Sequence, residues 1–293
     1  CPDTGMVGIG IASHVLAVGR VAVYVEPGLG AVATQSLVLM AHGSRTLDGL
    51  RAGLSPEEAM AQSLGLDDAP PVRQVGVVAM DGSVAAHTGH ACIPHAGHVL
   101  GDAFTTQANM MANHGVPEAM AEAFTGTLGH SLPERILAAL DAGEALGGDI
   151  RGRQSAAMVV AAPDPTGDPL VDRVVDVRVD DSAEPLPELR RLVRLGLANQ
   201  RLDVADGLMG AGDVAGAAEA YREATEMAPD YAEFAFWQAA ALADSGEADE
   251  ARRAWAAITE STDAARWTEL LQRVVAVGLV GPMARAVLLD EPS

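Results

Sequence analysis

Cys1 opens the chain, and a cysteine in that place needs no distant histidine to become reactive. The α-amino group of a first residue titrates at about 7.7–8.0, so it can accept a proton at neutral pH. The thiol beside it is already a good nucleophile, because a small fraction is thiolate at that pH. The expectation is therefore attack by the Cys1 sulfur on a carbonyl, with the residue's own amine as base. Cys1-Pro2-Asp3-Thr4-Gly5 reads as a turn, and Pro2 favours an extended Cys1. Translation does not start at cysteine, which leaves two cases: a preceding segment is cleaved off to expose Cys1, or the terminus lies upstream and the thiol lacks a free amine.

Acyl transfer also needs donors for the developing oxyanion, and side-chain amides or hydroxyls in a dry cleft supply them. Thr34 and Gln35 end an apolar strand, and Gln107 and Asn109 occupy alternate positions that would share one strand face. Arg151 and Arg153, beside Asp149, offer a guanidinium fork for a substrate carboxylate. For each of these residues alone, a strand-end hydrogen bond or a surface ion pair is the plainer reading. All eight histidines lie at or before His130, and His87, His90, Cys92, His95 and His98 crowd one stretch. Zinc ligands normally come as two separated pairs, whereas this stretch is punctuated by Gly89, Pro94 and Gly97. It reads as a glycine-rich connector, and no metal or other cofactor is expected.

The elements that must position these groups fall into two kinds. Up to about residue 180, short apolar runs alternate with Gly and Asp. Val7–Ala12, Val21–Val25, Gly30–Thr34, Gln74–Met80, Ser83–His87, Ser155–Ala162 and Arg173–Val179 read as strands, with Asp81-Gly82 as a hairpin turn. Ser55-Pro56-Glu57-Glu58 and Ser131-Leu132-Pro133-Glu134 are capping boxes opening two helices. Strands, a helical pair and strands again predict an α+β domain of layered sheets over residues 1–185.

From residue 186 to 293 the pattern becomes all-α, after Pro185 and Pro187. Ala205, Leu208, Gly212, Ala217 and Tyr221 recur 34 residues later as Ala239, Leu242, Gly246, Ala251 and Trp255. That is the period of tetratricopeptide repeats, which stack helical hairpins through small residues. Two such repeats with a capping helix over Ala264–Val277 are expected, with Tyr221, Trp237 and Trp255 as anchors for a partner.

Composition removes several functions. The 293 residues carry 40 acidic against 19 basic side chains, a formal charge of −21. Every basic residue is arginine, so neither a Schiff-base lysine nor a phosphate-loop lysine is available. Such acidity repels nucleic-acid phosphates and anionic membrane surfaces. Two cysteines make no disulfide framework, and a reducing cytoplasm is the expected compartment.

Several blocks together resemble the DUF1028 family of proteins. They are Pro2-Asp3-Thr4-Gly5, Gly8–Ser13, Ala17-Val18-Gly19, Gly28–Gln35, Thr88-Gly89 with Cys92 and Gly97-His98, Gln107 with Asn109, Gly148-Asp149 with Arg151-Gly152, Gln154–Ala157, and Val175–Asp181. Members usually carry a short strand ahead of the Pro-x-Thr-Gly turn, and many have Asp where this chain has Cys1. The resemblance implies a four-layer αββα sandwich of the N-terminal-nucleophile (Ntn) hydrolase type, with autoproteolytic exposure of the nucleophile and hydrolysis of a C–N bond in a small-molecule or peptide-like amide. Within it, Ser13, His14, Gln154 and Ser155 join Asp149, Arg151 and Arg153 as expected substrate-binding residues. The alternative is a non-catalytic scaffold that binds a protein partner, or a second copy of the chain, through its helical repeats.

Overall fold

The structure, a computed structural model, describes residues 1–260 and 262–289, apart from the side chains of residues 169 and 170. The chain divides into two compact units, Cys1–Val193 and Arg194–Ser293. No helix among the described residues is long and apolar enough to cross a membrane.

The first unit is mixed α and β. In chain order it runs β1 (Val7–Ser13), α1 (Val18–Ala22), β2 (Val23–Glu26), β3 (Gly30–Ser36), α2 (Ala41–Arg51), α3 (Pro56–Gly65), β4 (Arg73–Ala79) and β5 (Val84–Thr88). It continues with β6 (Gly97–Gly101), β7 (Phe104–Ala108), α4 (Val116–Gly126), α5 (Leu132–Ala145), β8 (Ser155–Ala161), α6 (Pro169–Asp172) and β9 (Arg173–Val179). Three antiparallel sheets result, ordered β1-β8-β9, β2-β3-β4-β5 and β6-β7.

Side-chain alternation on β3 shows how the two larger sheets face different neighbours. Ala31 points toward Val7, Val25, Val159 and Ala161 in the layer between the sheets. Its neighbour Val32 points the other way, onto Leu47, Leu50 and Met60 of α2 and α3. Adjacent residues of one strand thus serve two cores, as the pleat requires. β8 is buried along its whole length and reads as an unbroken apolar run for that reason. Both capping boxes form. The Ser55 Oγ accepts from the Glu58 N–H, while Glu58 accepts from the Ser55 N–H at 2.9 Å, and Glu134 accepts from the Ser131 N–H at 3.0 Å.

The structure differs from the sequence expectation in its helices and small sheet. Val21 and Ala22 close the short helix α1 instead of opening a strand. Ala17 takes a left-handed φ of 54°, its N–H donates to the Asp180 carbonyl, and the Val18 N–H donates to Ser155 Oγ; these tertiary bonds override the β preference of valine. α2 and α4 were not expected either. α2 buries His42, Gly43, Thr46 and Gly49 beside Leu47 and Leu50, so its inner face carries no apolar stripe to read.

The second unit begins within α7 (Pro185–Gly210) and continues as α8 (Val214–Met227), α9 (Ala232–Asp244), α10 (Ala248–Thr259), α11 (Ala264–Ala276) and α12 (Pro282–Leu288). The 34-residue repeat has a direct structural cause. Gly212 and Gly246 take φ of 81° and 88°, which lets the following N–H groups of Asp213 and Glu247 turn back to the Leu208 and Leu242 carbonyls. Ala217 and Ala251 have no exposed surface, so the paired helices meet at small residues. The hairpin recurs a third time: Gly278 is left-handed at φ 73°, and the Leu279 N–H returns to the Val274 carbonyl. The expected capping helix is therefore half of a further helical pair, α11 with α12. Tyr221 and Trp255 are 4% and 5% exposed, filling the core rather than standing out as anchors, and Trp237 packs at the edge of that core.

Candidate functional site

A cavity of about 460 Å³ lies in the first unit among β1, β3, β4, β7, α4 and α5. Cys1, Gln107 and Arg135 all line it. Glycines make the room: a side chain at Gly10 would come within 2.2 Å of Ile136, and one at Gly76 within 2.4 Å of the Gln107 carboxamide. β1 is an edge strand of its sheet, pairing with β8 alone, and its residues Val7–Gly10 line the cavity.

The Cys1 ammonium donates to the Met6 carbonyl at 2.7 Å, closing the turn that the Pro2-Asp3 sequence starts. Burial, with the Arg135 charge beside it, holds this amine below its usual pKa of 8.0, against a smaller opposing pull from Asp3. The Cys1 sulfur lies 3.9 Å from Arg135 Nη1. Cys92 is the other free thiol and is buried, donating to the Arg73 carbonyl at 3.3 Å.

Arg135 was not singled out from sequence, and it is the unusual group here. It is 5% exposed on the inner face of α5, in register with Leu132, Ile136, Ala139 and Leu140. Its Nε and Nη2 both donate to the Phe124 carbonyl at 3.3 Å, and its guanidinium carbon sits 3.9 Å above the Phe124 ring centre. It makes no ion pair among the described residues. Asp3 offsets its burial only in part, a buried cation without a direct ion pair is costly, and a charged residue on an apolar helical stripe was the sequence signal that could have found it.

Of the expected catalytic residues, Cys1 and Gln107 meet in this cavity, whereas Thr34, Gln35 and Asn109 lie outside it. Gln107 Oε1 accepts from Thr105 Oγ1 at 3.1 Å, and the carboxamide lies over Gly76. Gln107 and Asn109 do share a side, set against Gly76 and Gln74 on one face of β4, but β7 ends at Ala108 and only Gln107 reaches the cavity. Asn109 donates to Gln74 at 2.9 Å, and fully buried Gln74 in turn donates to Thr88 and to the Gly97 and Ala108 carbonyls. Fully buried Thr34 donates to the Leu39 carbonyl at 3.3 Å. Gln35 pairs with Gln74 across β3 and β4, and its Oε1 is buried without a partner.

The expected substrate-binding residues gather elsewhere. Ser13 pairs with Ser155 at the end of β1 opposite Cys1, and the seven residues of β1 span about 20 Å. There the Asp149 carboxylate accepts from the His14 N–H at 3.2 Å and from Arg151 at 2.7–3.0 Å, while His14 Nδ1 lies 3.3 Å from the Arg153 carbonyl. Arg153 is paired with Glu144 and Glu184, Gln154 donates to Asp181, and Ser155 donates to the Val15 carbonyl. The guanidinium forks are already filled by carboxylates of the protein itself.

A second constellation has the composition of a hydrolytic triad. His42 Nδ1 is 2.8 Å from Ser63 Oγ and its Nε2 is 3.0 Å from Asp67. Ionised Asp67 can only accept, so Nε2 carries the proton and Nδ1 accepts from the Ser63 hydroxyl. His42 is fully buried and Ser63 is 2% exposed, leaving no path to a substrate. Arg73 donates to Asp67 at 2.7 Å, so the network ties α2 and α3 to β4. In the histidine-rich connector, His87 contacts the Pro70 carbonyl, His98 contacts Thr88 Oγ1, and His95 stacks on His114 at 3.7 Å with its Nδ1 buried and unpartnered. Among the described residues, no three His, Cys, Asp or Glu groups are placed to hold a metal ion.

The comparisons with known proteins follow this division. A model of the family of unknown function DUF1028 matches residues 1–189, and a tetratricopeptide-repeat model matches residues 208–274. No curated protein matches the chain significantly. Among solved structures, protein SPO2555 from Silicibacter pomeroyi, also of the DUF1028 family, is 30% identical. That similarity covers 66% of this chain and 80% of the other, with a TM-score of 0.59. With the family model spanning well over half of its length, and with a tetratricopeptide-like module after it, this chain belongs to the DUF1028 family.

Proposed function

We propose that the first unit is an Ntn-type amide hydrolase whose nucleophile is the Cys1 thiol. The facing sheets, with α2 and α3 outside one of them and α5 beside β1, support the αββα sandwich of that superfamily. The observation that carries the reading is the Cys1 sulfur 3.9 Å from a buried guanidinium that makes no direct ion pair among the described residues, inside a cavity. A neighbouring cation favours thiolate, and an amine of lowered pKa is free to accept the thiol proton at neutral pH.

In the reaction, sulfur bonds to the amide carbon while the Gln107 Nε2–H donates to the developing oxyanion. The C–N bond then breaks, and the protonated α-amine returns its proton to the leaving nitrogen. Water attacks the thioester, releasing a carboxylic acid and restoring the thiol. This chemistry requires a free amine on Cys1. Cys1→Ala is expected to abolish both hydrolysis of N-acyl substrates and iodoacetamide labelling, with an unchanged circular dichroism spectrum; full activity in that variant would remove the mechanism. For the second unit, the tetratricopeptide match supports docking of a protein partner, a role compatible with hydrolysis in the first.

A further inference from the structure

The geometry of Arg135 points to the substrate class: we infer that the cavity takes an N-acyl-α-amino acid, an amide whose nitrogen sits on the carbon bearing a free carboxylate. The inference rests on the hydrolase reading for the bond it names, and on Arg135 for the anion.

A guanidinium has two edges able to hold a carboxylate through paired N–H groups. The Nε–Nη2 edge of Arg135 is spent on the Phe124 carbonyl, at 3.3 Å from each nitrogen. The Phe124 ring covers one face of the plane at 3.9 Å. What remains is the Nη1–Nη2 edge, whose Nη1 faces the Cys1 sulfur. A side chain 5% exposed, held rigid on one edge and one face, is organised in advance to receive an anion on the other edge.

The position of the sulfur then selects the bond. In an N-acyl-α-amino acid, three bonds separate the carboxylate carbon from the acyl carbon, a span of about 3–4 Å. Sulfur and Nη1 are themselves 3.9 Å apart. A carboxylate on the open edge therefore brings the acyl carbon over the sulfur, whereas an amide farther along the molecule passes beyond it. The number of negative charges is limited as well. Asp3 and Asp102 line the cavity and are exposed, so a single carboxylate is favoured over a phosphate dianion. Ile9, Val78, Phe104, Ile136 and Leu140 supply apolar wall for the side chain or the acyl group.

Binding separates this inference from turnover. Cys1→Ala protein is titrated with N-acetyl-L-leucine and with N-acetyl-L-leucinamide, followed by calorimetry and thermal shift. The expected result is that the acid binds at least tenfold more tightly than the amide, and that Arg135→Met removes the difference. Equal affinity for acid and amide, absence of binding by the acid, or undiminished preference for it in a folded Arg135→Met protein would overturn the proposal. Should Arg135→Met not fold, the acid–amide comparison in the Cys1→Ala protein decides alone. Acid binding to the protein with Cys1 intact, without turnover, would count against hydrolysis while leaving the carboxylate site in place.

Discussion

At the scale of single residues, Arg135 and Asp67 are two buried charges with different surroundings. Arg135 is buried against a carbonyl, a ring and a sulfur, with Asp3 acting on it without a direct ion pair, and it lines a cavity. Asp67 is equally buried, with 5% of its side chain exposed, but it is enclosed by Arg73, His42 and the Ala69 N–H. Hydrogen bonding from Arg73 above all holds the Asp67 carboxyl well below the ordinary carboxylate range, against the opposing effect of burial. A depressed folded pKa gives stability that is complete above the unfolded value of about 3.9 and is lost as pH falls toward the folded one. Asp67→Asn is therefore expected to lower stability at pH 7 and to flatten the loss of stability below pH of about 4. Urea titrations of both proteins at several pH values check this; parallel curves would show that the carboxylate contributes nothing on folding. Cys1 stood out in the sequence by its position and chemistry, and it lines the cavity. Arg135 did not, because an arginine in a helix reads as solvent-facing until the helix is placed, although its register with Leu132, Ile136 and Leu140 was present in the sequence.

At the scale of elements, legibility followed how local the determinants are. The capping boxes at Ser55 and Ser131 need only four residues each, and both helices start where expected. β8 needed only an apolar run. α2 and α1 depend on partners far along the chain, Ser63 and Asp67 for His42 and Ser155 and Asp180 for the start of α1. The alternation that put Gln107 and Asn109 on one face holds against Gly76 and Gln74 of β4, but it could not tell that the cavity reaches Gln107 alone of the two. In the second unit the repeat was visible because the same backbone reversal recurs at Gly212 and Gly246. Its third copy, at Gly278, follows Gly246 by 32 residues and so escapes a fixed 34-residue offset. The close helix approach makes a further expectation. Ala251 has no exposed surface, and Ala251→Leu should destabilise the second unit by about 1–3 kcal/mol through overpacking. All three tryptophans, Trp237, Trp255 and Trp267, belong to that unit, so tryptophan fluorescence during thermal unfolding reports it selectively. An unchanged fluorescence midpoint would contradict tight packing at this position.

At the scale of the whole molecule, an acidic, lysine-free chain combines a mixed α/β domain of the DUF1028 family with a stack of helical hairpins. Composition and repeat period were enough to foresee that division. They could not say that the residues expected to act together lie at opposite ends of β1, because that separation arises from the antiparallel pairing of β1 with β8. The proposed function rests on the cavity lined by Cys1, Gln107 and Arg135. The most direct measurement uses protein produced from its full gene, with the amino terminus first sequenced. This protein is mixed with N-acetyl-L-leucine, quenched in acid and digested for mass spectrometry. The account predicts a terminus at Cys1 and an acetyl thioester on the Cys1 peptide that is absent from Cys1→Ala. A mature protein with residues ahead of Cys1, or product formed with no adduct and no dependence on Cys1, would contradict it.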